Sequence, residues 1–183
     1  MYILGDIGNS ESKVFLVNSK NKVIKNMIFP SKKINNKLLK SKFRYLVKDF
    51  NKIEKILFCS VVPKSFRLIK NFLLKNTKIR CYEVKDLKLK SLINVKVDFN
   101  QVGSDRLTNA ISLANNHKNF VILDFGTATT FDVLMKNSYS GGIIAPGVRL
   151  SLNTLADKAT LIPKINLKKI KKVIGRDTIS AVR

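Results

Sequence analysis

The sequence predicts an α/β protein made of two similar halves, and three observations support this prediction. First, short apolar segments of strand length alternate with segments whose apolar residues recur at helical spacing. Second, an apolar segment ends in Asp-x-Gly twice, at Asp6 and at Asp124, and a short polar loop follows each time. Third, two further apolar segments follow each loop, so both places predict three consecutive antiparallel strands. Chance resemblance between two hairpins is the alternative, because turns favour these residues.

The first half is expected to cover residues 1–100 in the order β-β-β-α-β-α-β. Leucine and phenylalanine residues recur at helical spacing over residues 38–50 and predict its first helix. Pro63 suits the first turn of a second helix that reaches about Leu74. The predicted strands of this half cover residues 2–8, 13–18, 22–29, 53–60 and 79–84.

The second half is expected to cover residues 101–183. Apolar residues on one face predict a helix over residues 107–114, and Leu150, Leu152 and Leu155 predict a later one. The predicted strands between these two helices cover residues 120–124, 129–135 and 139–144.

The composition predicts a folded, cytoplasmic protein without a membrane span. Hydrophobic residues make up 45% of the chain, which allows a core, and no apolar run is long enough to cross a bilayer. Cys59 and Cys81 are too few for a disulfide framework and are expected to be buried thiols. His117 lies in a polar segment and is expected to be exposed, without a catalytic role.

The net charge of +23 allows nucleic acid, a membrane surface or anionic substrates as partners. The lysine residues are scattered along the whole chain, and the nearest approach to a basic block is residues 164–172. Arginine, which is favoured for reading bases, is scarce. Solvated lysine faces are therefore favoured, and a nucleic-acid partner is not expected.

The two Asp-x-Gly hairpins are typical of sites that handle phosphate. An aspartate at the end of a strand can hold a hydrated magnesium ion, and the glycine after it lets the backbone approach a phosphate. Asn9 and Ser10 follow the first motif, and Thr127 follows the second, so both loops offer hydrogen-bond donors. Two such hairpins that face one another form a cleft suited to phosphoryl transfer.

The segment Gly103-Ser104-Asp105-Arg106 supplies groups for a second substrate. Asp105 is suited to accept a proton from an attacking hydroxyl, and Arg106 is suited to hold a carboxylate. The alternative is structural: Asp105 stabilises a helix amino-terminus, and Arg106 is its surface ion-pair partner. The glycines of residues 141–147 allow either a tight turn or the approach of a substrate to the backbone.

The motifs in their order resemble the type III pantothenate kinases, which belong to the actin/hexokinase-type ATPase superfamily. The resemblance runs through nearly all of the chain, and it implies ribonuclease H-like halves. The motifs that carry it are Asp6-Ile7-Gly8-Asn9-Ser10, Ser60-Val61-Val62-Pro63, Gly103-Ser104-Asp105-Arg106, Asp124-Phe125-Gly126-Thr127-Ala128-Thr129-Thr130, Gly141-Gly142-Ile143-Ile144-Ala145-Pro146-Gly147, Leu161-Ile162-Pro163 and Gly175-Arg176-Asp177-Thr178.

The resemblance implies transfer of the γ-phosphoryl group of ATP to the 4′-hydroxyl of pantothenate, the first step of coenzyme A biosynthesis. It implies that Asp105 is the general base, that Asp6 lies near magnesium and that Asp124 holds potassium or ammonium. It also implies a homodimer. The residues that it assigns to ATP are Asp6, Gly8, Asn9, Ser10, Lys13 and Thr127, and those that it assigns to pantothenate are Phe99, Gly103, Ser104, Asp105, Arg106 and Thr178, the last across the dimer interface.

The chain departs from the family pattern at four places. Ser10 stands where threonine is usual, Ser104 where alanine is usual, and Phe99 where a tyrosine often touches pantothenate. The chain also stops where the family continues into a helix and a glycine-rich adenosine-binding segment, so the second half is expected to be incomplete and the chain truncated. Two alternative functions stay open: a transcriptional accessory protein that binds DNA, and another small-molecule kinase of the same superfamily.

Overall fold

The computed structural model describes residues 1–48, 50–168 and 173–182. Its first sheet has five strands. Their spatial order is β3-β2-β1-β4-β5, in which β1 to β3 are antiparallel neighbours and β4 and β5 run parallel to β1. The strands are β1 (Tyr2–Ile7), β2 (Glu11–Val17), β3 (Val23–Pro30), β4 (Lys55–Ser60) and β5 (Cys81–Glu83).

Two helices, α1 (Asn36–Leu46) and α2 (Pro63–Thr77), pack on this sheet through one hydrophobic core. The Asn35 side chain accepts a hydrogen bond of 2.9 Å from Leu38 N and caps the start of α1. Helix α2 begins at Pro63 and ends at Thr77, because the next residue, Lys78, has a positive φ of 58° that stops the helix. Side chains that are fully buried in this core include Leu39, Phe43, Ile69 and Leu73 from the helices and Ile3, Ile7 and Phe58 from the sheet.

The second sheet has the order β6-β9-β8-β7. Strands β7, β8 and β9 are antiparallel neighbours, and the short β6 runs parallel to β9. The core beneath this sheet includes Cys59 and Val84 of the first half, so the two halves share apolar contacts. The remaining elements are α3 (Ser104–Leu113), α4 (Val148–Lys158), α5 (Thr178–Val182), β6 (Asn94–Val95), β7 (Asn119–Phe125), β8 (Ala128–Met135) and β9 (Ser138–Pro146), and the 3-10 turns are Ser31–Lys33, Phe50–Lys52, Val84–Asp86 and Leu89–Ser91.

The predicted helices and strands of both halves are present, with shifted ends. The first helix was predicted to reach residue 50 but ends at Leu46, because Val47 adopts an extended conformation. Both sheets begin with the predicted three-stranded antiparallel unit. The duplication itself and the boundary after residue 100 stay predictions, and β6, inside the range assigned to the first half, pairs with β9 of the second sheet.

Strand β1 pairs on its other side with β4, whereas β7 is an edge strand in the part of the chain that the structure describes. One face of the second sheet is apolar and exposed at Val121, Leu123, Phe125 and Ile143. Cys59 and Cys81 are buried free thiols, and His117 is exposed. The predicted burial of the two cysteines and the predicted exposure of His117 are therefore confirmed.

Among the described residues, no helix has the length and apolar character that a bilayer crossing requires. The basic block predicted at residues 164–172 falls partly outside the described residues, because its last four positions, 169–172, are not among them.

Candidate active site

The two predicted hairpins face one another across a cavity of about 640 Å³. The cavity holds four carboxylates, namely Asp6, Glu11, Asp105 and Asp124, and two cationic side chains, Lys13 and Arg149. The sequence motifs therefore meet in one place although they lie more than a hundred residues apart. The other lining residues are Gly8, Asn9, Ser10, Val61, Phe125, Gly126, Thr127, Ala128, Thr130, Leu150 and Asn153.

The first hairpin is held at its base, and its tip is exposed. Gly8 N donates a hydrogen bond of 3.0 Å to Glu11 O, which closes the turn between β1 and β2. The Ser31 hydroxyl donates to Gly8 O at 2.6 Å and ties the turn to the end of β3. Asn9 and Ser10 form the exposed tip.

Asp6 lies at the end of β1, opposite Lys13 on β2 and opposite Cys59 on β4. The Cys59 thiol donates to Asp6 Oδ1 over 3.5 Å. Burial raises the pKa of Asp6, the Cys59 hydrogen bond and the Lys13 charge offset part of that rise, and the Asp124 charge adds to it.

The second hairpin is fixed by backbone hydrogen bonds and by a close contact with the start of α4. Gly126 N donates to Ala128 O over 2.9 Å, and Gly147 N donates to Thr127 O over 3.0 Å. A Cβ at Gly147 would overlap the carbonyl oxygen of Gly126, so glycine is required for this approach. Asp124 accepts a hydrogen bond of 3.1 Å from the Asn109 side chain of α3.

The two hairpin tips touch. The Ser10 and Thr127 hydroxyl oxygens lie 2.7 Å apart, so one hydroxyl donates to the other across the cleft. Residues assigned separately to ATP from two distant motifs are thereby neighbours in space.

Asp105 lies in the first turn of α3 and lines the cavity between the two hairpins. Its Oδ1 accepts a hydrogen bond of 2.8 Å from Arg106 N, and a Cβ at Gly103 would overlap this oxygen. Burial raises the pKa of Asp105, the Arg106 backbone hydrogen bond offsets part of the rise, and the charges of Asp6 and Asp124 add to it. A carboxylate whose pKa is raised in this way is a stronger base.

The other residues assigned to the organic substrate do not line this cavity. The buried Ser104 hydroxyl accepts from Ser60 N at 2.8 Å and donates to Ser60 O at 3.0 Å, which joins α3 to the end of β4. Phe99 packs on the second core, with the Lys85 ammonium 5.0 Å from its ring centroid. Thr178 is exposed at the start of α5.

Arg106 forms a buried ion pair that the sequence did not predict. Its Nε donates to Asp132 Oδ1 at 2.7 Å, and its Nη2 lies 2.7 Å from the same oxygen. Asp132 has no exposed surface, and it also accepts a hydrogen bond of 2.6 Å from the Tyr139 hydroxyl. Arg106 is therefore not a surface ion-pair partner of Asp105, and that part of the structural alternative is wrong. Asp105 does lie in the first turn of α3, as the same alternative expected.

The pKa shifts of Arg106 and Tyr139 both reflect their hydrogen bonds to Asp132. Burial lowers the pKa of Arg106, but the hydrogen bond and charge of Asp132 outweigh burial and raise it. Burial raises the pKa of Tyr139, and the hydrogen bond to Asp132 adds to the rise. One sequence signal could have predicted the burial of Asp132. Asp132 and Leu134 are two positions apart on β8, so their side chains lie on the same face of the strand, which is buried.

The fold defines a class of α/β proteins in which two sheets face a shared cleft, and solved structures share it. A candidate transcriptional activator of the Baf family from Campylobacter jejuni shares the fold with a TM-score of 0.54 and 19% identity, covering 98% of this chain and 71% of that chain. A candidate 2-dehydro-3-deoxygalactonokinase from Sinorhizobium meliloti has a TM-score of 0.51 and 10% identity, covering 88% of this chain and 58% of its own. Identities this low show a common fold alone.

The chain belongs to the type III pantothenate kinase family, whose model matches residues 2–183. A type III pantothenate kinase of Pelagibacter ubique (strain HTCC1062) is 61% identical over 183 residues, which are 100% of this chain and 74% of the relative. A type III pantothenate kinase of Sulfurihydrogenibium sp. (strain YO3AOP1) is 33% identical over 190 residues, covering 100% of this chain and 75% of the relative. The predicted family and fold class are confirmed.

Proposed function

We propose that this protein transfers the γ-phosphoryl group of ATP to the 4′-hydroxyl of pantothenate, the first step of coenzyme A biosynthesis. The observation that carries the proposal is the position of Asp105, a half-buried carboxylate in the same cavity as both Asp-x-Gly hairpins. Phosphoryl transfer needs a base at the attacking hydroxyl and positioned donors around the phosphates, and this cavity offers both. Membership of the family supports the choice of substrate.

The phosphates of ATP are proposed to lie between the hairpin tips. Asn9, Ser10 and Thr127 are proposed to supply donors there, and Lys13 a positive charge. Gly8 lines the same cavity, but its N–H is already bonded to Glu11 O. The hydrogen bond between the Ser10 and Thr127 hydroxyls, 2.7 Å long, has to give way so that each hydroxyl can donate to a phosphate oxygen. Arg149 of α4 adds a second cation to the lining of the cavity.

The cavity fits a magnesium ion that is held mainly by phosphate and water. The described residues contain no cluster of three or more side chains that could enclose a metal. Magnesium in phosphoryl-transfer sites usually takes only one or two protein carboxylates, and Asp6, which lines the cavity, is proposed to supply one. Bound magnesium neutralises charge on the transferring phosphoryl group. Asp124, exposed across the cavity, is the proposed ligand of potassium or ammonium.

Asp105 is proposed to accept the proton of the pantothenate hydroxyl, for which its raised pKa is suited. Arg106 is proposed to bind the pantothenate carboxylate, and Gly103 shapes the Asp105 position by leaving room for its carboxylate. Phe99, Gly103, Ser104, Arg106 and Thr178 are not among the residues that line the cavity, and their part in binding pantothenate stays a proposal, as does the homodimer through which Thr178 would act.

The test is ADP release by the purified chain with ATP and magnesium, in the presence and absence of pantothenate. The expected result is pantothenate-dependent release that Asp105→Asn abolishes. ADP release that ignores pantothenate would overturn the proposal. Release that responds to another hydroxy acid or sugar would favour a different kinase of the same fold. Binding of DNA without ATP turnover would favour the regulatory alternative, which no feature of the cavity supports.

A further inference from the structure

The Arg106 guanidinium is anchored by the carboxylate of Asp132. A guanidinium is planar and presents donors along two edges, one formed by Nε and Nη2 and one formed by Nη1 and Nη2. The first edge is taken by Asp132, since both Nε and Nη2 lie 2.7 Å from Oδ1. Oδ1 satisfies the hydrogen-bond geometry of Nε alone, so Nη2 is a buried donor with no hydrogen-bond acceptor among the described residues.

Gly142 of β9 packs closely against the Arg106–Asp132 pair. A Cβ there would overlap the Phe131 carbonyl oxygen and would come within 2.8 Å of Arg106 Nη2, so only glycine fits at this position. Nη2 is a buried donor that lacks a hydrogen-bond acceptor among the described residues, and a carboxylate could supply one.

Asp132 is itself held on several sides. The Tyr139 hydroxyl donates to Oδ1 at 2.6 Å, and the Thr130 hydroxyl donates to Oδ2 at 3.3 Å. Asp132 and Tyr139 are both fully buried, so their side chains have little freedom to move. Arg106 keeps 14% of its side-chain surface exposed, so its position depends on this anchor.

We propose that Asp132 and Tyr139 are positioning residues that hold Arg106 in the place from which it binds the carboxylate of the organic substrate. They set the preference for a carboxylate-bearing substrate over a neutral analogue without touching either one. This inference rests on the proposed function, and it adds the groups that make Arg106 selective.

The experiment compares pantothenate with its alcohol analogue, in which CH₂OH replaces the carboxylate. We would measure kcat/KM for both compounds, and KM for ATP, in the wild type and in two variants. Asp132→Asn removes the charge that anchors Arg106, and Tyr139→Phe removes a single hydrogen bond from the anchor. Thr77→Val is the control, because it removes a hydroxyl bonded to Leu73 O at 2.8 Å, far along the chain from the cluster.

The preference for pantothenate over the alcohol should fall about tenfold in Asp132→Asn and about three- to fivefold in Tyr139→Phe. It should not change in Thr77→Val, and KM for ATP should stay constant in all three. A purely structural role would lower kcat/KM for both compounds equally, and that result would overturn the inference. Tyr139→Phe keeps the ring in the core, so it serves as the test if Asp132→Asn folds poorly.

Rates measured with the wild type distinguish failure of the proposed function from failure of the inference about Asp132 and Tyr139. If it phosphorylates neither compound, the proposed function fails, and the inference fails with it. If it phosphorylates both compounds equally well, the kinase activity stands, but Arg106 does not read the carboxylate and the inference alone is overturned.

Discussion

Replacing Arg106 by methionine should destabilise this protein more than removal of a surface ion pair would. Methionine keeps the length of the apolar stem but leaves the carboxylate of Asp132 without its cation. Asp132 has no exposed surface, so water cannot take the place of the guanidinium. The variant is therefore a direct probe of how much of the fold depends on the charge pair.

The magnitude follows from the burial of the pair. Removing one partner of a buried ion pair typically costs about 3–5 kcal/mol. The Tyr139 hydroxyl still donates to Asp132 at 2.6 Å after the change, so the lower figure, about 3 kcal/mol, is expected. For a domain of this size each kcal/mol lowers Tm by about 2–4 °C, so Tm should fall by about 6–12 °C.

A double-mutant cycle isolates the interaction. Urea denaturation of Arg106→Met, of Asp132→Asn and of the double variant gives the coupling energy, which should be about 2 kcal/mol. The matched control is the Asp157–Lys164 pair, whose nitrogen and oxygen are 3.8 Å apart and whose side chains are 60% and 86% exposed. Its coupling should not exceed about 0.5 kcal/mol. Equal coupling in the two cycles would refute the reasoning from burial.

Four further predictions concern the cleft. Asp105→Asn should lower kcat by about 10²–10⁴-fold, yet raise Tm at pH 7. The reason is that burial raises the folded pKa of Asp105 above the ordinary value of 3.8, so its charged form costs stability at pH 7; a lower Tm than wild type would contradict this. For the same reason the acid limb of the kcat/KM profile should lie above pH 3.8, and a limb at or below that value would exclude Asp105 as the base. Gly147→Ala should raise KM for ATP about tenfold, because its Cβ would displace the Gly126 and Thr127 carbonyls; an unchanged KM would show that the second hairpin does not grip ATP. Activity should require potassium or ammonium, and Asp124→Ala should abolish the response; equal rates in a bulky organic cation at matched ionic strength would contradict the proposed cation site.

Local patterns predicted most of the fold. Apolar segments of strand length and helical spacing are properties of neighbouring residues, so they gave the strands and the helices with small errors at the ends. Strand β6 was not predicted, because its two residues, Asn94 and Val95, are too few to form a pattern. Its pairing with β9 depends on residues far along the chain.

The candidate site divides in the same way. Asp6, Asp105 and Thr127 were found because each lies in a motif, and all three line the cavity. The partner of Arg106 was missed, because Asp132 lies 26 residues away and only the folded β8 brings it to α3. A buried ion pair depends on tertiary packing, which the sequence around Arg106 does not contain.

The central claim is that this cleft phosphorylates pantothenate, and direct detection of the product tests it most sharply. The purified chain would be incubated with ATP, magnesium, potassium and pantothenate, and the organic product analysed by mass spectrometry and ³¹P NMR. The account predicts a phosphate monoester on the 4′-hydroxyl in the wild type and none in Asp105→Asn. An unmodified pantothenate pool after ATP has been consumed, or the same product from both proteins, would contradict it.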